Sequence, residues 1–196
     1  MTQTKQHEQD VDVWVGKRFP LTIRRLGVNG HGIGYYKHKV CFVPGALPNE
    51  VVVAEVTRVL PRYLEAKIHR IRKKSRDRVT PRDEYADIAG GFELENLAYQ
   101  QQLKFKRQVI IDSLEKFQPY GYRNYDVRPT IAAPEEYGYR NKAQFQVRMV
   151  NGRVAAGLYQ PNSHTLVDME TCAVQMPRTM ETVRAVTKMI EDLQIP

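Results

Sequence analysis

Two tracts of this sequence bring together groups that bind polyanions. Tyr35, Tyr36, Lys37, His38 and Lys39 set aromatic rings beside cations, a combination that stacks on nucleobases while holding phosphates alongside. Arg62, Lys67, Arg70, Arg72, Lys73, Lys74, Arg76 and Arg78 form a second cationic run, and Arg24 and Arg25 add a pair upstream. From Lys17 to Arg82 sixteen Lys or Arg stand against four acids, a local excess of +12, whereas the segments on either side each sum to −2. Such segregation places a positive field on one module and suits a polyanionic partner. The alternative for the same excess is a solvated, solubilising face. If about six of these cations meet phosphates, affinity should fall ~10³-fold or more between about 50 and 200 mM salt.

Other chemistries find little support. Gly27-Val28-Asn29-Gly30-His31-Gly32-Ile33-Gly34 is glycine-rich, but its spacing matches neither a dinucleotide fingerprint nor a P-loop. Tyr35 and Tyr36 also follow where a helix N-terminus would be needed to hold a phosphate. A barrel turn needing positive φ explains these glycines better. Cys41, in the alternating run Val40 to Val43, is expected in a core. Cys172 has no His or acid at a nucleophile's spacing, His164 follows Asn162 and Ser163 as a turn residue, and no paired carboxylates or metal-spaced His/Cys cluster appears. No catalytic, cofactor-binding or metal-binding residue is therefore assigned. Two cysteines in 196 residues exclude a disulfide framework. The polar start and the lack of a long apolar run predict a cytoplasmic protein without membrane association, and a monomer is expected.

The elements that must position these residues follow from periodicity. Residues 1–14 are polar and aperiodic and read as a disordered lead-in. Arg18 to Leu26, Gly34 to Lys37, Val40 to Val43, Val51 to Leu60 and Tyr63 to Ile71 are short β-rich runs separated by Gly, Pro and Asn turns. Five such strands within residues 15–75 predict a closed, OB-like barrel, since closure removes exposed edges. Alternation sends Tyr35 and Tyr36 to opposite faces, so one of them belongs to the core. A charged linker ends at Pro81, and residues 83–196 switch to an α+β pattern. A helix is predicted from Tyr99 to Phe117, with Leu103, Ile110, Leu114 and Phe117 facing inward. A hairpin turns at Asn151-Gly152 between Arg140–Val150 and Val154–Leu158. A strand from Thr165 to Met169 and a helix from Pro177 to Leu193 complete a second part that looks cut short, with few partners for its hairpin. The fold class is thus mainly β, a five-stranded barrel followed by a partial α+β domain.

Two stretches carry a resemblance. Lys17 to Lys74, with Gly30-His31-Gly32-Ile33-Gly34 and Phe42-Val43-Pro44-Gly45-Ala46, resembles a TRAM domain, the OB-like RNA-binding barrel. Gly90-Gly91-Phe92-Glu93-Leu94-Glu95-Asn96-Leu97-Ala98-Tyr99 through Leu103-Lys104-Phe105-Lys106, with Tyr139-Arg140-Asn141-Lys142-Ala143-Gln144-Phe145, resembles the start of the central domain of the RNA (uracil-5-)methyltransferases, the 23S ribosomal RNA branch above all. The resemblance implies that S-adenosylmethionine, a cysteine nucleophile and a carboxylate base belong to a C-terminal domain that this sequence does not reach. It implies structured RNA, specifically 23S rRNA, as partner, with a role in rRNA processing. Many family members also hold an iron–sulfur cluster on a C-x₅-C-x₂-C run and a later cysteine. Here the three run positions carry Asp83, Ala89 and Phe92, and only Cys172 matches. No cluster is expected, with the loop packed instead around Phe92 and Leu94.

The expected RNA-facing set is therefore Arg24, Arg25, Tyr35, Tyr36, Lys37, Lys39, Arg62, Lys67, Arg70, Arg72, Lys73 and Lys74 on the barrel. Arg140, Lys142 and Gln144 join it on one face of the hairpin strand, opposite Ala143 and Phe145. The competing function for the whole chain is a stand-alone RNA-binding protein that turns over nothing.

Overall fold

Alternating apolar residues on the first strands point inward and close a barrel. The computed structural model describes residues 13–195 and divides the chain into two units that meet between Arg76 and Asp77. In the first unit, β1 (Arg18–Thr22) and β2 (Arg25–Leu26) form the two halves of one bent path. They are followed by β3 (Gly32–Tyr36), β4 (Lys39–Val43), β5 (Val51–Val59) and β6 (Tyr63–Lys73). Sheet order is β1-β5-β6-β4-β3-β2. Because β1 pairs with β5 and its continuation β2 pairs with β3, the path closes on itself as five strands. The one parallel pairing, β4 with β6, completes the OB connectivity.

Phe19, Leu21, Ile23, Cys41, Val43, Val52, Ala54, Val56, Leu64 and Ala66 fill this barrel, each under 5% exposed. Gly34 has no room for a side chain, since a Cβ there would lie 2.7 Å from both Leu21 Cγ and Thr22 O. The expected lead-in lies outside the described residues as far as Asp12. Val13 already packs against the barrel core, and Trp14 is exposed with the Lys17 ammonium 4.1 Å from its ring centre.

Boundaries move where pairing overrides local pattern. The first predicted strand breaks after Thr22: the Ile23 N–H donates to Glu50 O and the Arg24 N–H to Ile33 O, so the chain changes partner there. The last barrel strand runs two residues past Ile71, because Val51 pairs with Lys73.

The second unit builds α1 (Tyr99–Phe117), β7 (Gln146–Val150), β8 (Arg153–Tyr159), β9 (Leu166–Asp168) and α2 (Pro177–Asp192). The Asn151-Gly152 turn has positive φ at both residues, as a type I′ hairpin turn demands. The sheet runs β7-β8-β9. Its small core gathers Ala89, Val167, Met169, Cys172 and Met180, with Phe92, Phe145 and Leu158 packed around them. A Cβ at Gly157 would come within 1.9 Å of Val167 O, so glycine is what lets β8 and β9 approach there.

Two expectations for this unit are corrected. α1 has no fully buried residue: of its predicted inward positions Leu103 and Leu114 are half-buried, whereas Ile110 and Phe117 are 52% and 72% exposed. The predicted strand Arg140–Val150 begins only at Gln146. Upstream, Arg140 makes a single isolated bridge to Gln175, and that contact does not propagate into a ladder.

Candidate nucleic-acid interface

The strand β6 carries most of the barrel's cations, and its backbone decides which of them face outward. In a regular strand alternate residues would turn inward. Register shifts opposite Val53/Ala54 and Val51/Val52 each place an extra residue on β6, so Val53 pairs with Arg70 while Ala54 pairs with Ile68. These bulges reset the alternation. As a result His69 and Arg70 are both exposed, and so are Arg72, Lys73 and Lys74.

The buried carboxylate of Glu50 ties the far end of this track to the bend of the first strand. It accepts the Leu47 N–H at 2.9 Å and the Ser75 N–H at 3.2 Å, while Glu50 O accepts the Ile23 N–H. Arg24 follows Ile23 and Lys74 precedes Ser75, so the upstream pair and the end of the track share one end of the barrel.

Lys67 is exposed but carries an ion pair. Its ammonium pairs with Glu55 at 3.0 Å, and Arg18 holds the other carboxylate oxygen at 2.6 Å. Those two cations, Lys67 first and Arg18 second, hold the Glu55 carboxyl below its ordinary range. The register explains the neutralisation, since Arg18, Glu55 and Lys67 are direct neighbours on β1, β5 and β6. Arg58 sits 4.0 Å from Glu65. By contrast Arg24, Arg25, Lys37, Lys39, Arg62, Arg70, Arg72, Lys73 and Lys74 make no ion pair with a described carboxylate of this unit.

At the tip of the β3–β4 hairpin, Lys37 and His38 take positive φ angles of 45° and 71° and form the turn itself. Tyr36 is half-buried. It stacks on Phe19 with ring centres 3.8 Å apart and packs against the barrel core. Its neighbour Tyr35 points outward and is 55% exposed. Register then places Tyr35, Val40 and Tyr63 in one outward row across β3, β4 and β6. Phe42 lies beside that row and meets Tyr63 edge to face at 5.4 Å. Phe42 and Tyr63 were absent from the expected set. Alternation alone marks Phe42 as outward, opposite Cys41 and Val43, but the β4–β6 pairing that brings Tyr63 to it has no local signal.

In the second unit Arg140, Lys142 and Gln144 are exposed and Ala143 and Phe145 half-buried, so the expected alternation of faces holds on an extended segment in place of a strand. The Gln175 amide donates to Lys142 O at 3.3 Å, and the Met176 N–H donates to Arg140 O at 2.8 Å, which fixes the course of this segment. Ala89, Phe92 and Cys172 meet in the unit's core, and the buried Asp83 lies beside Cys172.

These four residues do not fit an iron–sulfur cluster. Ala89 and Phe92 offer no donor atom, and both Asp83 oxygens are engaged, Oδ1 by the Tyr85 N–H at 3.0 Å and Oδ2 by the Ala173 N–H at 2.8 Å. Among the described residues no group of three or more His, Cys, Asp or Glu could hold a metal ion. Phe92 packs against this core as expected, whereas Leu94 is only half-buried and outside it.

A cavity of about 980 Å³ opens nearby between Arg82, Asp83, Tyr137, Cys172, Gln175 and Arg184. Neither thiol is prepared for nucleophilic work. Burial pushes Cys41 up to about 12, and burial together with the Asp83 charge raises Cys172.

Residues 12–69 match the TRAM domain family. The chain is 63% identical over 99% of its length to a Lactiplantibacillus plantarum protein described as an uncharacterized RNA methyltransferase, and 45% identical over 92% of its length to one from Enterococcus faecalis with the same description. It spans 40% of the length of each. In fold it is similar to Pyrococcus abyssi tRNA (uracil-54, C5)-methyltransferase, crystallised with S-adenosyl-L-homocysteine. That match has a TM-score of 0.56 at 22% identity and covers 89% of this chain and 37% of the other. The chain therefore carries a TRAM domain and is homologous, along a stretch equal to about two fifths of their length, to proteins described as RNA methyltransferases.

Proposed function

We propose that this chain is the RNA-recognition portion of an S-adenosylmethionine-dependent (uracil-5-)methyltransferase acting on 23S rRNA in the cytoplasm. The observation that carries the reading is the set of nine cations on the barrel that make no ion pair with a described carboxylate of their unit, four of them clustered at the bulged end of β6 and the residue just after it. Cations left unpaired in a folded domain are available to replace counterions on a phosphate chain. Arg140, Lys142 and Gln144 add polar contacts near the target nucleotide. On this reading S-adenosylmethionine supplies the methyl group, and no described residue of this chain is assigned to its site, to the nucleophile or to the base. Both thiols present are poorly suited to attack carbon 6 of uracil, since their raised pKa values keep them protonated near neutral pH.

The test is fluorescence anisotropy of the chain with 23S rRNA domain transcripts, tRNA and duplex DNA of equal length. Preferential binding to a 23S transcript is expected. Equal affinity for all three probes would remove the rRNA assignment, and no binding to any would remove the RNA function.

A further inference from the structure

We infer that the outward row Tyr35–Val40–Tyr63, with Phe42 beside it, is a stacking platform for unpaired RNA bases, distinct in role from the cation track of β6. The inference rests on the RNA-binding reading and adds which state of RNA the barrel prefers. Three features support it. Tyr35 exposes an aromatic ring on a strand where the adjacent Tyr36 is used for the core, so its exposure follows from its place on the outward face. Tyr63 and Phe42 are half-buried and meet edge to face at 5.4 Å, so each ring limits the other's rotation. With β4 between them, β3 and β6 stand roughly 10 Å apart, so Tyr35 and Tyr63 can meet bases of neighbouring or next-neighbouring nucleotides in an extended strand but not bases stacked within a helix.

Cations flank the row for the connecting phosphates. Lys37 follows β3 at the hairpin tip, and Arg62 immediately precedes Tyr63. The acid on this face is Glu65, at the level of Phe42, and Arg58 lies 4.0 Å from it. A duplex would present its sugar–phosphate surface to this face and gain nothing from the rings. A single strand would gain from both rings and cations.

The two roles separate in a salt titration, because stacking releases no counterions whereas phosphate contacts do. The full chain is titrated by anisotropy with a fluorescein-labelled ten-nucleotide oligouridylate and with a blunt RNA duplex of ten pairs. Tighter binding of the single strand is expected. Tyr35→Ala should weaken that binding by ~5- to 150-fold with no change in the salt slope, Tyr35→Phe should keep the affinity, and Tyr63→Leu should behave as Tyr35→Ala. Tyr35 is exposed, so its variants remain informative should Tyr63→Leu lose its fold. Equal binding of both probes with a silent Tyr35→Ala would overturn the inference while leaving RNA binding intact. A reduced salt slope in Tyr35→Ala would overturn it too, since the residue would then act through phosphate contacts. Failure of both probes to bind would instead remove the RNA-binding reading itself.

Discussion

Removing the charges at the end of β6 should flatten the salt dependence of RNA binding by a predictable amount. Arg70, Arg72, Lys73 and Lys74 are exposed and make no ion pair with a described carboxylate of their unit. Each phosphate contact to a single strand adds about 0.7 to the slope of log affinity against log salt. Replacing all four by Gln should therefore lower that slope by ~2.8. Between about 50 and 200 mM KCl the wild-type chain should lose roughly 50-fold more affinity than the variant. Lys67→Gln is the internal control, because Lys67 already neutralises Glu55 and its loss leaves that carboxylate to Arg18. Its slope should change by less than one contact's worth. Anisotropy titrations at four salt concentrations read both numbers, with circular dichroism confirming that each variant is folded. A quadruple variant whose slope matches wild type, or a Lys67→Gln effect as large as that of Arg72→Gln, would refute the reasoning, since exposure and pairing would then fail to distinguish phosphate contacts.

Further outcomes follow from packing and protonation. Gly34→Ala forces a Cβ to within 2.7 Å of the Leu21 side chain and Thr22 O, and should destabilise the barrel by ~1–3 kcal/mol in chemical denaturation. Gly157→Ala, 1.9 Å from Val167 O, should separate β8 from β9 and be read as lost hydrogen-exchange protection at Val167 and Leu158. Burial keeps both Cys41 and Cys172 protonated, so a thiol reagent at pH 8 should react with neither in the native chain and with two thiols in denaturant. A fast-reacting native thiol would contradict the assigned packing. Glu55 has a lowered pKa in the folded state, so its contribution to stability is present above its ordinary value of 4.5 and is lost as pH falls through the folded value. Urea midpoints of wild type and Glu55→Gln should differ at pH 6 and converge on acidification below 4.5.

The barrel was legible because its information is local. Strict alternation in Phe19, Leu21 and Ile23, and in Cys41 and Val43, declares which face is buried, and the Gly, Pro and Asn turns declare where the chain reverses. The hairpin turn at Asn151-Gly152 belongs to the same class of signal, two residues whose chemistry requires positive φ. Non-local features escaped. The bulges of β6 depend on its pairing with β5, so nothing in His69-Arg70-Ile71-Arg72 announces that the consecutive His69 and Arg70 both face solvent. The Lys67–Glu55–Arg18 grouping depends on a three-strand register, so the sequence alone does not distinguish Lys67 from the other cations of β6. Tyr63 meets Phe42 only through the parallel pairing of β4 and β6. On α1 the helical period was correct while the burial inferred from it was not. Periodicity puts Ile110 and Phe117 on one stripe with Leu103 and Leu114, but burial needs a layer to cover it, and only Leu103 and Leu114 are half-buried.

The central claim is that the barrel's cations and outward rings hold RNA, and ultraviolet crosslinking of the chain to 23S rRNA transcripts followed by peptide mapping tests it most directly. Crosslinked peptides should concentrate between Arg24 and Lys74, with Tyr35 and Tyr63 among the modified residues. Crosslinks confined to peptides from Asp77 onward would contradict the account and move RNA recognition off the barrel.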